Sequence, residues 1–137
     1  MTLAVSLPRA IINGLLHHAQ QSSITEVCGF ISSKNGIPIQ YYPIANTAST
    51  PQRLFAMDPE QQIAAMRTMR EYGEELFAIY HSHPDSSPLP SPTDLRQASY
   101  PEALYLIISL QTRGVLEMRG FRLVKNNIIE IPLEIAE

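Results

Sequence analysis

Apolar residues recur at helical spacing in two parts of the chain, and capping residues indicate a third, shorter helix. Before residue 20 the apolar residues fall three or four positions apart, with Ser6 as a candidate cap and Pro8 near the first turn. Asp58-Pro59-Glu60 then combines an N-cap, a first-turn proline and a first-turn acid. The predicted helices cover about residues 7–20, the stretch from Asp58 to Gly73, and a short stretch from Ser91-Pro92 to a point before Pro101.

Short apolar runs without helical spacing predict the strands. Asn35-Gly36 is a strong two-residue hairpin signal, and we expect a second turn at Asn126-Asn127. Residues 46–52 are polar and predict a loop. The predicted strands cover residues 27–33, 37–44, 76–80, 104–108, 115–124 and 128–133. Strands interleaved with about three helices predict an α/β sandwich around a mixed central sheet.

Composition narrows the class of protein. The 137 residues fit one domain spanning 1–137, and 45% hydrophobic with 17% charged residues is enough for an ordinary core. A net charge of −3 gives no electrostatic case for nucleic acid or an anionic membrane. No apolar run approaches the ~20 residues of a spanning helix. The first residues lack a secretory signal pattern, and Cys28 is the single cysteine, so we expect a cytoplasmic protein.

The stretch 81–94 carries the strongest chemical signal. His81 and His83 are two positions apart, so on an extended segment both imidazoles leave the same face. Asp94 follows after a loop that four prolines stiffen. Two imidazoles and a carboxylate form a three-ligand set for Zn²⁺ with a fourth position left for water. The pattern therefore predicts a metal-dependent hydrolase, in which the ion lowers the pKa of its water to about 7.

Such a site also needs a group that accepts a proton from water and returns it to the leaving amine. Glu26 is the best candidate, because an acid at the start of an apolar strand is otherwise unfavourable. Cys28 on the same strand face is an alternative nucleophile, but no flanking signature supports that role, and a small buried thiol in the core is the simpler explanation. Ser91 and Asp94 also fit a capping box, which is compatible with a ligand role for Asp94.

Other polar residues have simpler explanations. His17 and His18 are adjacent on a predicted helix, so they diverge and cannot act together as ligands. Asp85 lies in the loop and is expected to be solvated or locally hydrogen-bonded.

Taken together, the motif resembles that of the JAMM, or MPN-plus, metalloproteases: an upstream Glu, then His-x-His, seven residues, Ser, two residues and Asp. Residues 26–30, residues 55–59 and the order of elements extend the resemblance over nearly the whole chain. The matching motif positions are Glu26, His81, Ser82, His83, Pro84, Ser91 and Asp94. The resemblance implies a cytidine-deaminase-like three-layer fold. It further implies that His81, His83 and Asp94 bind zinc, that Glu26 activates water, and that Ser91 steadies the oxyanion.

The resemblance also implies a substrate. Family members hydrolyse the peptide or isopeptide bond after the Gly-Gly tail of ubiquitin or a ubiquitin-like protein, and this compact chain is similar to small bacterial members that process sulfur carriers of the ThiS/MoaD type. A catalytically inactive MPN-type interaction module and an Fe(II) oxygenase are alternatives. A zinc deaminase is less well matched, because those sites use a Pro-Cys-x-x-Cys pattern. The sequence leaves the oligomeric state open, with a homodimer as one option.

Overall fold

The computed structural model describes residues 3–111 and 116–137. Over these residues the chain alternates between strands and helices. In chain order the elements are β1 (Val5–Pro8), α1 (Arg9–Gln20), β2 (Cys28–Lys34), β3 (Ile37–Ile44), α2 (Pro59–Glu71), β4 (Glu75–His83), α3 (Pro92–Gln97), β5 (Leu104–Ser109), β6 (Glu117–Val124), β7 (Asn127–Ile131) and β8 (Leu133–Ala136).

Six strands form the central sheet in the order β3-β2-β4-β5-β6-β7. The pair β4–β5 is parallel, whereas the other neighbouring pairs are antiparallel, so the predicted mixed sheet is confirmed. Strand β4 lies between β2 and β5, inside the sheet. Its last residues are therefore held by hydrogen bonds on both sides, which makes them a rigid support for functional side chains.

The two faces of this sheet are covered by different helices. Apolar residues of α1 pack on one face together with Ala78 and Tyr80 of β4. Residues Ala65 and Met69 of α2 pack on the other face with Ile79. The chain is thus a three-layer α/β sandwich, as predicted. In the described residues no helix has the length and apolar character needed to cross a membrane.

The two ends of the chain differ from the prediction. Residues 5–8 form β1 rather than the first turn of a helix, and α1 begins at Arg9. The predicted last strand, 128–133, is divided, with β7 ending before Pro132 and β8 beginning after it. Pro132 has no N–H for a ladder, so the division has a local cause. Strands β1 and β8 pair in parallel as a separate two-stranded sheet.

The hairpin turns follow the backbone preferences of their residues. Asn35 and Gly36 have φ of 53° and 79°, which confirms the predicted turn between β2 and β3. The second turn lies one residue earlier than predicted, at Lys125 and Asn126, where φ is 50° and 65°. Strand β6 begins at Glu117, and the predicted start at Val115 lies outside the described residues.

Candidate metal centre

The two histidines lie on one face of β4, as their spacing predicts. His81 and His83 continue the line of Ile79 along the face covered by α2, and both are almost completely buried. They are the last residues of the strand, not part of a loop behind it. Pairing of β4 with β2 and β5 fixes their backbone, so both imidazoles are held in position before any ligand binds.

Asp94 reaches the same point from the first turn of α3. Ser91 caps this helix: its Oγ accepts a hydrogen bond from the Asp94 N–H at 2.9 Å, and Asp94 Oδ2 accepts one from the Ser91 N–H at 2.9 Å. This confirms the capping box. The same Oδ2 lies 3.2 Å from His81 Nε2 and 3.1 Å from His83 Nε2, and the two Nε2 atoms are 3.1 Å apart.

These three atoms form a nearly equilateral triangle of metal-ligating types. In a tetrahedral zinc site with ligands ~2.0 Å from the ion, neighbouring ligand atoms are separated by about 3.3 Å. The observed separations of 3.1–3.2 Å match this spacing. The donor set therefore fits a small divalent cation of the first transition row, such as Zn²⁺.

The hydrogen bond at the other ring nitrogen of His83 supports this fit. His83 Nδ1 lies 2.8 Å from the Ser87 carbonyl, which can only accept, so this nitrogen carries the proton. In the neutral ring, Nε2 then presents its lone pair to the centre of the triangle. The loop with Ser87 is itself tied to β5, because Ser109 Oγ donates to the Ser86 carbonyl at 2.6 Å.

Glu26 lies beside the triangle, at the residue before β2 begins. The residue is 4% exposed, and among the described residues its Oε1 has no hydrogen-bond partner. A carboxylate oxygen of Glu26 lies within 4.8 Å of a ring nitrogen of each histidine. Desolvation by burial raises the pKa of Glu26 to about 8. Because Glu26 Oε1 has no hydrogen-bond partner within the described part of the chain, a nearby cation or a hydrogen-bonding ligand would stabilise the ionised form of this carboxylate.

Charge in the triangle is distributed unevenly. Burial lowers the pKa of His81. For His83 burial also acts to lower the pKa, but the contacts with Asp94 and the Ser87 carbonyl outweigh it, and the pKa is raised. Burial disfavours the charged form of Asp94, yet the two imidazoles, which donate to Oδ2 when their Nε2 atoms carry a proton, hold its pKa well below the usual range. Asp94 is therefore a permanent anion at neutral pH and can serve as the charged ligand of the set.

Two residues to which the sequence analysis assigned no contact with the metal ligands or Glu26 support the site. Phe55 stacks on His81, with ring centroids 4.4 Å apart and an interplanar angle of 25°. Asn46 holds the loop that carries Phe55: its Nδ2 donates to the carbonyls of Glu26 (3.0 Å) and Leu54 (2.9 Å). Its Oδ1 accepts from the N–H groups of Ala48 and Ala56, both at 3.0 Å. Asn46 thus links the backbone of Glu26 to the loop that packs on His81.

Because Asn46 makes these four hydrogen bonds, Asn46→Ala is expected to lower the free energy of unfolding by about 2–4 kcal/mol. Urea denaturation measures the change. Asn46→Asp keeps the two acceptor contacts but cannot donate, so an intermediate loss is expected. Asn13→Ala, at an exposed position of α1, serves as the control. An Asn46→Ala protein within about 0.5 kcal/mol of wild type would contradict this role.

The structure agrees with the simpler explanations offered above for Cys28, His17 and Asp85. Cys28 is fully buried and its thiol donates to the Ile44 carbonyl, while burial raises its pKa to about 12, so it does not provide a thiolate nucleophile. His17 is exposed, and Asp85 is exposed in the loop. His18 instead packs inward, with Nδ1 2.7 Å from the hydroxyl oxygen of Tyr80, on the sheet face opposite His81.

Two recesses adjoin the triangle along the direction of β4. An uncharged groove on the Ile79 side has a volume of about 170 Å³, and its walls combine Phe55, Met57 and Tyr100 with the amides of Gln62 and Gln97. A polar cleft of about 640 Å³ lies on the His83 side. Its walls contain Ser23, Ile24, Glu26, Gln52, Arg53, His83, Pro84, Asp85, Ser86 and Ser91. A chain laid across the site could thus have its two halves in chemically different surroundings.

Known proteins resemble this chain over most of its length. It is 30% identical to the CysO-cysteine peptidase of Mycobacterium tuberculosis, with 99% of this chain and 94% of the relative covered. It is 32% identical to the desampylase of Haloferax volcanii over 77% of this chain and 80% of the relative. The solution structure of a protein from Desulfitobacterium hafniense superposes with a TM-score of 0.85 at 30% identity, covering 96% and 92% of the two chains.

A protein-family model also matches most of the chain. The model described as prokaryotic homologs of the JAB domain matches residues 8–124, which include every strand and helix from α1 to β6. The matched range contains Glu26, the two histidines of β4 and the capped start of α3. The chain belongs to this prokaryotic JAB, or JAMM/MPN, family.

Proposed function

We propose that the protein is a zinc-dependent metallopeptidase that cleaves the bond after the C-terminal Gly-Gly tail of a ubiquitin-like sulfur carrier. The observation that carries the proposal is the triangle of His81 Nε2, His83 Nε2 and Asp94 Oδ2, with Glu26 buried beside it. Zinc bound there would act as a Lewis acid and lower the pKa of a water ligand.

The chain's own residues would perform the remaining steps. Glu26 accepts a proton from the attacking water, whose oxygen bonds to the carbonyl carbon, and it then delivers that proton to the amine nitrogen as the C–N bond breaks. Ser91 Oγ already accepts from the Asp94 N–H, so its hydroxyl hydrogen is available to donate to the developing oxyanion. Phe55 and the capped α3 keep these groups in place between turnovers.

The chemistry of the site favours hydrolysis over the alternatives. The described residues include three ligand-type side chains and a buried acid, a set that an inactive interaction module would not need. Zinc deaminases use cysteine ligands, whereas the single cysteine here, Cys28, is buried and its thiol donates a hydrogen bond to the Ile44 carbonyl. An Fe(II) oxygenase would use a similar ligand set, but it has no use for a proton-accepting Glu26 in this place.

Relatives and the family resemblance support the substrate class. One relative is named a CysO-cysteine peptidase and another a desampylase. The direct experiment is incubation of the zinc-loaded protein with ThiS- or MoaD-type carriers extended beyond Gly-Gly, read by intact mass. Release of a carrier ending in Gly-Gly is expected. Metal analysis that finds iron, together with oxygen consumption, would replace the proposal with the oxygenase alternative.

We place the Gly-Gly tail along the segment of Phe55 to Met57. Ala56 and Asp58 hydrogen-bond to Thr47 and Ala45, so the backbone of Phe55 and Met57 faces the opposite edge. An extended tail could add there as a strand, taking the place of the Gln62 side chain that donates to the Met57 carbonyl at 3.3 Å. A tail without side chains suits the small uncharged groove behind this edge.

Met57→Glu is therefore expected to weaken carrier binding at least about tenfold, because a charge would be buried against the tail. Isothermal titration with the Gly-Gly-ending carrier measures the affinity. Ile63→Glu, an exposed substitution on α2 away from this groove, is the matched control. Unchanged affinity of the Met57→Glu protein would show that the tail lies elsewhere.

A further inference from the structure

The polar cleft on the His83 side contains a basic residue that the proposed mechanism does not use. Arg53 is the one arginine or lysine among the described residues that line this cleft, and the same lining includes Glu26 and Ser91. Within the described residues Arg53 forms no salt bridge. Its guanidinium is therefore available to a ligand, and Asp85 is the exposed acidic residue in the same lining.

The backbone of the Arg53 loop is fixed to that of Glu26. Glu26 N–H donates to the Pro51 carbonyl at 2.8 Å, and Asn46 Nδ2 bridges the carbonyls of Glu26 and Leu54. The N–H groups of Arg53 and Leu54 both donate to the Thr50 carbonyl at 3.1 Å, which closes a tight turn. The loop that carries Arg53 is thus held to the backbone of Glu26 at Pro51, before Arg53, and at Leu54, after it.

The position of the cleft indicates which part of a substrate would meet Arg53. Ile79, His81 and His83 follow one another along β4, with the uncharged groove at Ile79 and the polar cleft, which contains the charged side chains, at His83. If the Gly-Gly tail occupies the uncharged groove, the leaving group enters the polar cleft. When that leaving group is a single amino acid, its α-carboxylate is attached to the carbon next to the scissile nitrogen.

We propose that Arg53 binds the free α-carboxylate of one amino acid joined by a peptide bond to the carrier tail. Arginine matches the planar carboxylate with two parallel N–H donors. An isopeptide-linked lysine has no carboxylate at this place, so Arg53 would favour linear one-residue adducts over protein conjugates. This inference rests on the proposed function, and it adds to it the residue that selects the leaving group.

Binding and cleavage should be measured separately. The probes are a ThiS-type carrier ending in Gly-Gly-Ala with a free carboxylate, the same carrier with a C-terminal carboxamide, and a Gly-Gly-Ala-Ala carrier. On zinc-loaded Glu26→Gln protein the free acid is expected to bind about tenfold more tightly than the amide. The two-residue extension should lose most of this advantage, because it moves the carboxylate by up to about 3.5 Å.

Adding Arg53→Gln to the same protein should make the acid and amide bind equally, and Arg53→Lys should retain part of the preference. Arg67→Gln on exposed α2 is the matched control and should leave the preference intact. An unchanged acid-to-amide ratio in Arg53→Gln overturns the inference, as does the absence of any preference with Arg53 present.

Cleavage by the protein with Glu26 intact distinguishes the two proposals. Cleavage without acid preference refutes the role of Arg53 and keeps the hydrolase. An Arg53-dependent preference in binding without cleavage supports the carboxylate site and refutes hydrolysis of this carrier. Failure of the acid and the amide to bind at all counts against both proposals.

Discussion

Glu26→Gln protein is expected to bind its metal normally and to lose turnover by a factor of about 10²–10⁴. Glutamine has nearly the same shape as glutamate, so the buried position before β2 can accept it without a cavity. The amide cannot accept a proton from water, however, and cannot pass one to the leaving amine. Because the triangle of His81, His83 and Asp94 does not include Glu26, its metal content should stay at one ion per chain.

Two measurements test this prediction together: single-turnover cleavage of an extended carrier, and metal content after gel filtration. Glu75→Gln makes the same substitution at the exposed start of β4 and should leave both unchanged. Wild-type turnover in Glu26→Gln would remove Glu26 from the mechanism. Loss of metal together with turnover would show instead that Glu26 is a ligand, as its closeness to both histidines allows.

The parts of the site that could be predicted from the sequence are those governed by short-range geometry. His81 and His83 share a face because side chains in a strand alternate, whatever the surroundings. Asp94 is placed by a capping box that spans three residues. Asn46 could not be found in this way, because its partner Glu26 lies 20 residues away and the loop has no periodic pattern. Phe55 has the same difficulty, since its stacking on His81 depends on the folded loop.

The first strand shows a second limit of prediction from the sequence. The helical spacing between Leu7 and Ile11 predicts that Leu7 belongs to the first helix. It does pack in the same apolar cluster as Ile11 and Leu15, but from strand β1. Hydrophobic periodicity reports which residues are buried together and cannot tell a four-residue strand from a first helical turn. The partner of β1 is β8, more than a hundred residues away, so pairing could not be inferred locally.

The second large effect concerns the metal. Saturating zinc, at about 100 times its dissociation constant, should stabilise the folded wild type by ~2.7 kcal/mol and raise its melting temperature by about 10 °C. His81→Ala removes one of three ligands and also the ring on which Phe55 stacks. It should therefore abolish both the zinc-dependent rise in melting temperature and the hydrolytic activity.

The informative quantity is the difference in melting temperature with zinc and with a chelator, because His81→Ala also loses packing and melts lower in both conditions. Asp94→Asn separates these effects: it keeps the size of the side chain and removes the charged ligand, so its zinc response should also be lost. His17→Ala, at an exposed position on α1, should retain the full response. If His81→Ala or Asp94→Asn still melts about 10 °C higher with zinc, the stabilising ion binds elsewhere. The close approach of His81, His83 and Asp94 would then be a result of the hydrogen bonds among these three side chains alone.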